Sequence, residues 1–368
     1  MKYIDEFRDG KAARGLVARI HRLASAPVRI MEICGGHTHV IFKYGIDKML
    51  PPQIELIHGP GCPVCVTPLE RVDLAIAMAR MDGVILATFA DMMRVPGSGS
   101  SLQQEKARGA DVRMVYSSLD ALQIARANPE RLVVFFAIGF ETTAPTNAMA
   151  VLLAREQGLG NFSIFSNHVT VPAAVSALLA QPDTLLDAFI APGHVSLVTG
   201  SDIYRFMAEE HGKPVVVSGF EPLDILQSIA MILRQRTRAE ARVEVQYRRA
   251  VTPRGNTKAQ EVVNRVLEPC DMRWRGLGII PGSGLKVREE FAAHDAERVF
   301  DLVEPEPLAD PRACECGNIL RGVKSPRDCR VFGKACTPER PLGSCMVSSE
   351  GACAAYYTYD REHLEAAP

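Results

Sequence analysis

Six of the ten cysteines fall between residues 314 and 353, and four of them, Cys314, Cys329, Cys336 and Cys353, leave gaps of 14, 6 and 16 residues. A cubane iron–sulfur cluster needs four thiolates brought together by one compact segment. The residues between these cysteines are rich in Gly, Pro and Ser, which let a chain wrap a ligand. Cys316 and Cys345 lie in the same stretch, so counting does not decide which four would ligate. Structural zinc and disulfides are the competing readings.

Two further thiol loops lie near the N-terminus. In Cys34-Gly35-Gly36-His37-Thr38-His39 a pair of glycines lets the backbone turn and exposes a thiol beside two imidazoles. Soft-metal binding through Cys34, with His37 and His39 as proton donors or supporting partners, competes with zinc ligation by all three and with ordinary loop histidines. In Gly59-Pro60-Gly61-Cys62-Pro63-Val64-Cys65 the Cys-x-x-Cys pair reads as a reversible disulfide or as half a zinc site. Thr67 as N-cap, Pro68 at the first helical position and Glu70 as capping-box partner predict a helix whose positive end favours the Cys65 thiolate.

Gly139-Phe140-Glu141-Thr142-Thr143 brings a carboxylate and two hydroxyls to a strand end. Glu141 is read as a proton relay, against the plainer reading in which a threonine caps the helix begun at Pro145. Asn167-His168 and Gly193-His194 are lesser candidates of the same kind. Pro96–Gly99 and Pro281–Gly284 are read as turns because neither continues as a P-loop or a dinucleotide fingerprint; Lys286 keeps a minor anion-binding role open. Cys270 reads as a buried small hydrophobe.

The elements that must hold these loops follow from short aliphatic runs alternating with amphipathic stretches over residues 28–235, the pattern of α/β units around parallel sheets. Strands are predicted at 28–33, 54–58, 83–89, 112–116, 132–138, 162–166, 188–191 and 214–218. Helices are predicted at 68–80, 102–108, 118–128, 145–157, 171–180, 200–210 and 222–234. Residues 133–141 and 215–221 resemble one another, each run leading into a Pro-started helix, which suggests two sheets. The Arg-rich stretch 236–249 reads as a linker. The expected organisation is α/β: a domain over 1–125 carrying the Cys34 and Cys62/Cys65 loops, a second over 126–240, and a smaller Cys-rich domain over 241–368.

With 47% hydrophobic residues the chain can build real cores, and a formal net charge of −1 with no long basic run gives nucleic acid no electrostatic footprint. Acidic residues in Met1–Asp9 stand where a signal peptide needs an apolar run, and the longest apolar run, Leu132–Phe140, is strand-sized. A cytoplasmic protein without membrane spans is expected, and reduced thiols there favour metal or redox roles.

Together, Cys34-Gly-Gly-His-Thr-His39, Gly59-Pro-Gly-Cys-Pro-Val-Cys65, Gly139-Phe-Glu-Thr-Thr143, the four-cysteine spacing and the tail Cys345–Tyr357 resemble the HypD family of hydrogenase-maturation proteins over nearly the whole chain. The resemblance implies two Rossmann-like β-α-β sheet domains plus a C-terminal iron–sulfur domain. It implies a scaffold that builds the Fe(CN)2CO unit of [NiFe]-hydrogenases with the small chaperone HypC, receiving cyanide through HypE. Cys34 and a HypC cysteine would hold the transient iron, with Cys62 and Cys65 as the redox pair. Cys314, Cys329, Cys336 and Cys353 would carry a [4Fe–4S] cluster close to that pair, leaving Cys316 and Cys345 as non-ligands. A cluster-dependent thiol–disulfide reductase acting on a protein substrate, and a metal chaperone with a purely structural cluster, are the rival expectations.

Overall fold

The structure, a computed structural model, describes residues 4–181, 185–303, 306, 308 and 311–360. Eleven strands are named among them: β1 (Val28–Glu32), β2 (Ile54–His58), β3 (Val84–Thr88), β4 (Val112–Met114), β5 (Leu132–Gly139), β6 (Phe162–Val169), β7 (Ala188–Pro192), β8 (Val215–Ser218), β9 (Val243–Val245), β10 (Leu267–Trp274) and β11 (Gly278–Val287). They form a parallel five-stranded sheet ordered β2-β1-β7-β8-β9 and a six-stranded sheet ordered β10-β11-β6-β5-β3-β4. In the second sheet β4, β3, β5 and β6 run parallel, and the β10–β11 hairpin joins β6 antiparallel.

Burial explains the parallel cores. Every residue of β5 after Leu132, and every residue of β6, is buried, as strands covered by helices on both faces must be. The mixed α/β class and the two sheets agree with the sequence reading, and all eight expected strands are present. The similar runs at 133–141 and 215–221 become β5 and β8, interior strands of different sheets. Each feeds a helix with proline in its first turn, Ala144–Glu156 and Pro222–Thr237.

Strand pairing does not follow the sequence division at residue 125. β1 and β2 join β7–β9, whereas β3 and β4 join β5 and β6. The helix Leu69–Ala79 carries the chain into the second sheet, and the helix Val171–Leu179 leads it back to β7, where Met31 faces Phe189. Alternation of strands and helices reveals that crossovers exist but not which strands become neighbours. The stretch read as a linker contains β9, and residues beyond 241 also supply β10 and β11. Pro281–Gly284 is a stretch of β11, with Gly282 at a φ of +63° beside a register shift, and Lys286 is paired with Glu268 at 3.4 Å. Cys270, on edge strand β10, is half-buried. Among the described residues no helix is long and apolar enough to cross a membrane.

Candidate functional site

Residues following strands of both sheets line one cavity of about 460 Å³. β1 contributes Cys34, β3 Asp91, β5 Thr142 and Thr143, and β7 His194, while Ser348, Ser349 and Glu350 close it from the C-terminal segment. The position agrees with the general placement of ligands outside the carboxyl ends of strands in open α/β sheets.

Cys34 is the N-cap of the helix Gly35–Lys43, so its two glycines form a first helical turn and not a free loop. The Cys34 N–H donates to Glu32 Oε2 at 2.9 Å, and the Gly35 N–H donates to the Gly61 carbonyl at 3.0 Å, tying the two cysteine loops together. The Cys34 thiol is buried and held well above its usual pKa, first by burial and then by the charges of Glu350 and Glu32. Its Sγ lies 3.4 Å from His194 Nε2.

The imidazole at the thiol is therefore His194, a residue the sequence offered only as a lesser candidate. His37 is buried and stacked on Phe220 at 4.7 Å, with its pKa pushed down to about 3 by burial. His194 meets the same Phe220 ring at 4.0 Å, and burial brings it down to about 4, so it is neutral at neutral pH. His39 packs edge-on against Tyr359 at 5.4 Å. About 100° of rotation per residue turns position 39 away from the side of the helix that carries position 34.

Cys62 and Cys65 are joined by a disulfide across a Cα–Cα distance of 5.2 Å. A separate short helix precedes the one the sequence predicts, which itself runs over Leu69–Ala79. Pro63–Val66 forms its own short helix with Cys62 as N-cap, and the Cys62 Sγ accepts the Cys65 N–H at 3.2 Å. Thr67 ends that turn, its hydroxyl donating to the Pro63 carbonyl at 2.8 Å, while Pro68 caps the next helix without a side-chain bond. Glu70 is paired with Arg273 at 3.2 Å.

In the Gly139–Thr143 motif, Thr142 and Thr143 face the cavity. The Thr143 hydroxyl donates back to the carbonyls of Ile138 and Phe140, both at 3.3 Å, so it does not cap through its side chain. Glu141 is buried; its Oε1 accepts the Val171 N–H at 3.0 Å and burial raises its pKa to about 7. An unfolded chain ionises this carboxyl near 4.5, so across pH 4.5 to 7 the folded state holds the extra proton and stability falls as pH rises. Relative to Glu141→Gln, the wild type should lose on the order of 3 kcal/mol over that window, read by urea denaturation at several pH values. Parallel profiles for the two proteins would contradict the assignment. His168 is a core residue, its ring bonded to Asn147 at 2.7 Å and Ser166 at 3.1 Å.

Sequence reasoning missed Glu32. Fully buried in β1, its carboxylate accepts the Cys34 N–H, the Thr38 hydroxyl, and the His58 ring through Nδ1 at 2.7 Å. A charged residue inside the otherwise apolar Ile30-Met31-Glu32-Ile33, two positions before Cys34, is the signal that could have found it.

The Cys-rich segment packs against both thiol loops. The Ser344 hydroxyl donates to the Cys65 carbonyl at 2.9 Å, and the helix Ala352–Tyr359 meets the Cys34 helix through Tyr356 on Phe42 at 4.2 Å. Gly35 faces Glu350 so closely that an added Cβ would stand 2.4 Å from its backbone oxygen. All six thiols are neighbours. Burial raises the Cys353 pKa, and Cys316, Cys314, Cys336 and Cys329 push it further; Cys316 is also in hydrogen-bonding contact with Cys314 and Cys345. Gly343 passes so near that an added Cβ would lie 2.5 Å from Cys314 Sγ. Among the described residues no three His, Cys, Asp or Glu side chains converge on one ion position. A cubane asks for one thiolate per iron corner, and a tightly wrapped set of thiols suits that donor requirement.

The family model described as HypD, the hydrogenase formation hypA family, matches residues 11–360. The chain is 56% identical over 371 residues to the hydrogenase maturation factor HypD of Azotobacter vinelandii, covering 98% of each chain. It is 55% identical to HypD of Rhizobium leguminosarum bv. viciae, over 98% of this chain and 96% of that one. With HypD of Escherichia coli K12 it shares 47% identity over the full length of both.

Proposed function

We infer the chemistry from one premise: the chain belongs to the HypD family of hydrogenase maturation factors. It acts in the cytoplasm as a redox-active scaffold for assembling the Fe(CN)2CO unit of [NiFe]-hydrogenases, with a HypC-type small chaperone and a HypE-type cyanide donor. The observation that carries this reading is the buried Cys34 thiol at a cavity shared by both sheets, bonded through Gly35 and Gly61 to the disulfide loop.

The iron unit is the substrate. Cys34 binds it as a thiolate, a soft ligand suited to iron carrying CO and cyanide. Neutral His194, 3.4 Å away, takes the thiol proton at Nε2. His37 backs the Phe220 ring against which His194 rests, and His39 holds the middle of the same helix on Tyr359. Glu141, a neutral acid up to about pH 7, stores a proton behind Thr142 and Thr143. Opening the Cys62–Cys65 disulfide to two thiols consumes two electrons and two protons. Cys314, Cys329, Cys336 and Cys353 hold a [4Fe–4S] cluster, which supplies one-electron exchange when bound. The Ser344–Cys65 hydrogen bond keeps that segment against the disulfide.

Infrared spectra of anaerobic protein, co-purified with its small partner, test the proposal. CN and CO stretching bands are expected in the wild type and absent in Cys34→Ser. No bands in the wild type, with turnover of disulfide substrates, would make the protein a thiol–disulfide reductase instead.

A further inference from the structure

Phe220, the ring on which His37 and His194 both rest, sits in the turn between β8 and the helix Pro222–Thr237. A carboxylate away from the cavity holds that turn. Asp224, in the first turn of the helix, is fully buried. Its Oδ1 accepts Gln246 Nε2–H at 2.7 Å and Arg249 Nη1–H at 2.9 Å. Its Oδ2 accepts the Glu221 N–H at 3.1 Å and Arg249 Nη2–H at 2.5 Å. Gln246 Oε1 in turn accepts the Gly219 N–H at 3.1 Å. The amides on both sides of Phe220 are therefore tied to one carboxylate, directly or through Gln246.

The turn is packed against the site on its other side. A Cβ at Gly36 would stand 3.2 Å from the Phe220 ring, so the ring also covers the helix turn that begins at Cys34. A Cβ at Gly193, the residue before His194, would stand 2.4 Å from the Ser218 carbonyl oxygen and 2.7 Å from the Tyr247 ring. Arg249 closes the assembly from outside, its guanidinium lying over the Tyr247 ring at 4.3 Å and the Phe7 ring at 3.9 Å. Apolar replacements of a buried ion pair are often as stable as the pair, whereas its directed bonds fix a geometry that apolar contacts leave free.

We propose that Asp224, clamped by Arg249, is a positioning residue for the Cys34 site: it fixes the Phe220 turn and, through Phe220, the place of His194 against the thiol. The inference rests on the iron-binding role of Cys34 under Proposed function. Asp224→Asn keeps the shape of the side chain but sets an NH2 group opposite two of the four donors. Those donors lose their acceptor, and the turn loses its anchor on one side of Phe220. The bond from Glu32 to the Cys34 N–H is untouched, so the change reaches the thiol only through its neighbours.

The test compares full-length wild type, Asp224→Asn, His194→Gln and the double variant, each co-purified anaerobically with the small partner. Folding is checked by circular dichroism. Hydrogen–deuterium exchange is read for the peptides containing Phe220 and His194, and CN and CO band intensities for the iron unit. Asp224→Asn is expected to fold, to exchange faster in both peptides, and to weaken the bands at least ~10-fold, since misplacing a reacting group by about 1 Å can cost on the order of a hundredfold. The double variant should match His194→Gln alone, because the Asp224 effect runs through His194. If Asp224→Asn does not fold, Arg249→Gln, at a side chain that is 23% exposed, takes its place in the same comparison. A folded variant with wild-type bands, or a double variant weakened by the product of the two single effects, overturns the inference and leaves the iron reading standing. Absent bands in the wild type overturn the iron reading. In that case, or where His194→Gln alone gives no bands, exchange decides: faster exchange around His194 in the Asp224 or Arg249 variant supports the positioning role, and unchanged exchange there overturns it.

Discussion

Under the proposed scaffold role, Gly61→Ala is expected to lose most of its iron loading, together with a measurable fraction of its stability. A Cβ at this position would fall 2.3 Å from the Cys34 nitrogen, 2.4 Å from the Cys34 Cα and 2.5 Å from the Ile33 carbonyl carbon. All three are backbone atoms, so no change of rotamer relieves the overlap. The Gly61 carbonyl also accepts the Gly35 N–H at 3.0 Å, which means the loop that must retreat is the one that anchors the Cys34 helix. Overpacking in a core costs typically ~1–3 kcal/mol, and a clash with rigid backbone belongs at the upper end. The functional effect is larger, since displacing a reacting group by about 1 Å can cost on the order of a hundredfold in rate. Urea denaturation and the intensity of the CN and CO bands read the two effects separately. An alanine variant with wild-type stability and undiminished bands would show that the two loops need not touch.

How much of this was legible in the chain can be judged from particular residues. The strands of residues 28–235 were legible because uninterrupted runs such as Val133-Val134-Phe135-Phe136-Ala137-Ile138 have one stable use in a covered parallel sheet. The hairpin was not, because β10 mixes buried, half-buried and exposed residues and contains Pro269, while β11 contains Pro281, Gly282 and Gly284, which read as punctuation. Its value as structure comes from tertiary contact with β6, where Leu285 faces His168. The glycines and cysteines of the two thiol loops were legible, since close backbone approach and thiol chemistry each need specific residue types. Which imidazole meets Cys34 was not legible. His194 is 160 positions away and arrives only because β7 pairs with β1. Of the neighbours in sequence, His39 is turned away by the helix that begins between it and the thiol, and His37 stacks on Phe220.

Glu32 shows the same dependence on pairing, and its removal should be the most damaging single change near the site. β1 pairs with β2 so that Glu32 stands opposite His58. That register places the imidazole 2.7 Å from Oε1, while Oε2 accepts the Cys34 N–H at 2.9 Å and the Thr38 hydroxyl completes the set. Burial raises the Glu32 pKa, and the bond to His58, its charge, and the bonds to Thr38 and Cys34 oppose that rise in decreasing order. The carboxyl therefore costs the fold least when protonated. Below its ordinary range this penalty is absent, and stability declines as pH rises towards the raised folded value. Glu32→Ala keeps the burial but strands these partners, and each buried group left without a partner costs ~1–3 kcal/mol. The expected loss is several kcal/mol, a large share of the roughly 5–15 kcal/mol that holds a typical domain. Glu32→Gln preserves the shape and one acceptor, so it should lose about half as much or less. It should also lack the Glu32 part of the pH dependence. Because the Cys34 N–H loses its anchor in the alanine variant, the thiol should also react faster with iodoacetamide under native conditions. An alanine variant within ~1 kcal/mol of wild type, the range of an ordinary surface change, and with unchanged thiol reactivity would mean that Glu32 does not hold the Cys34 turn.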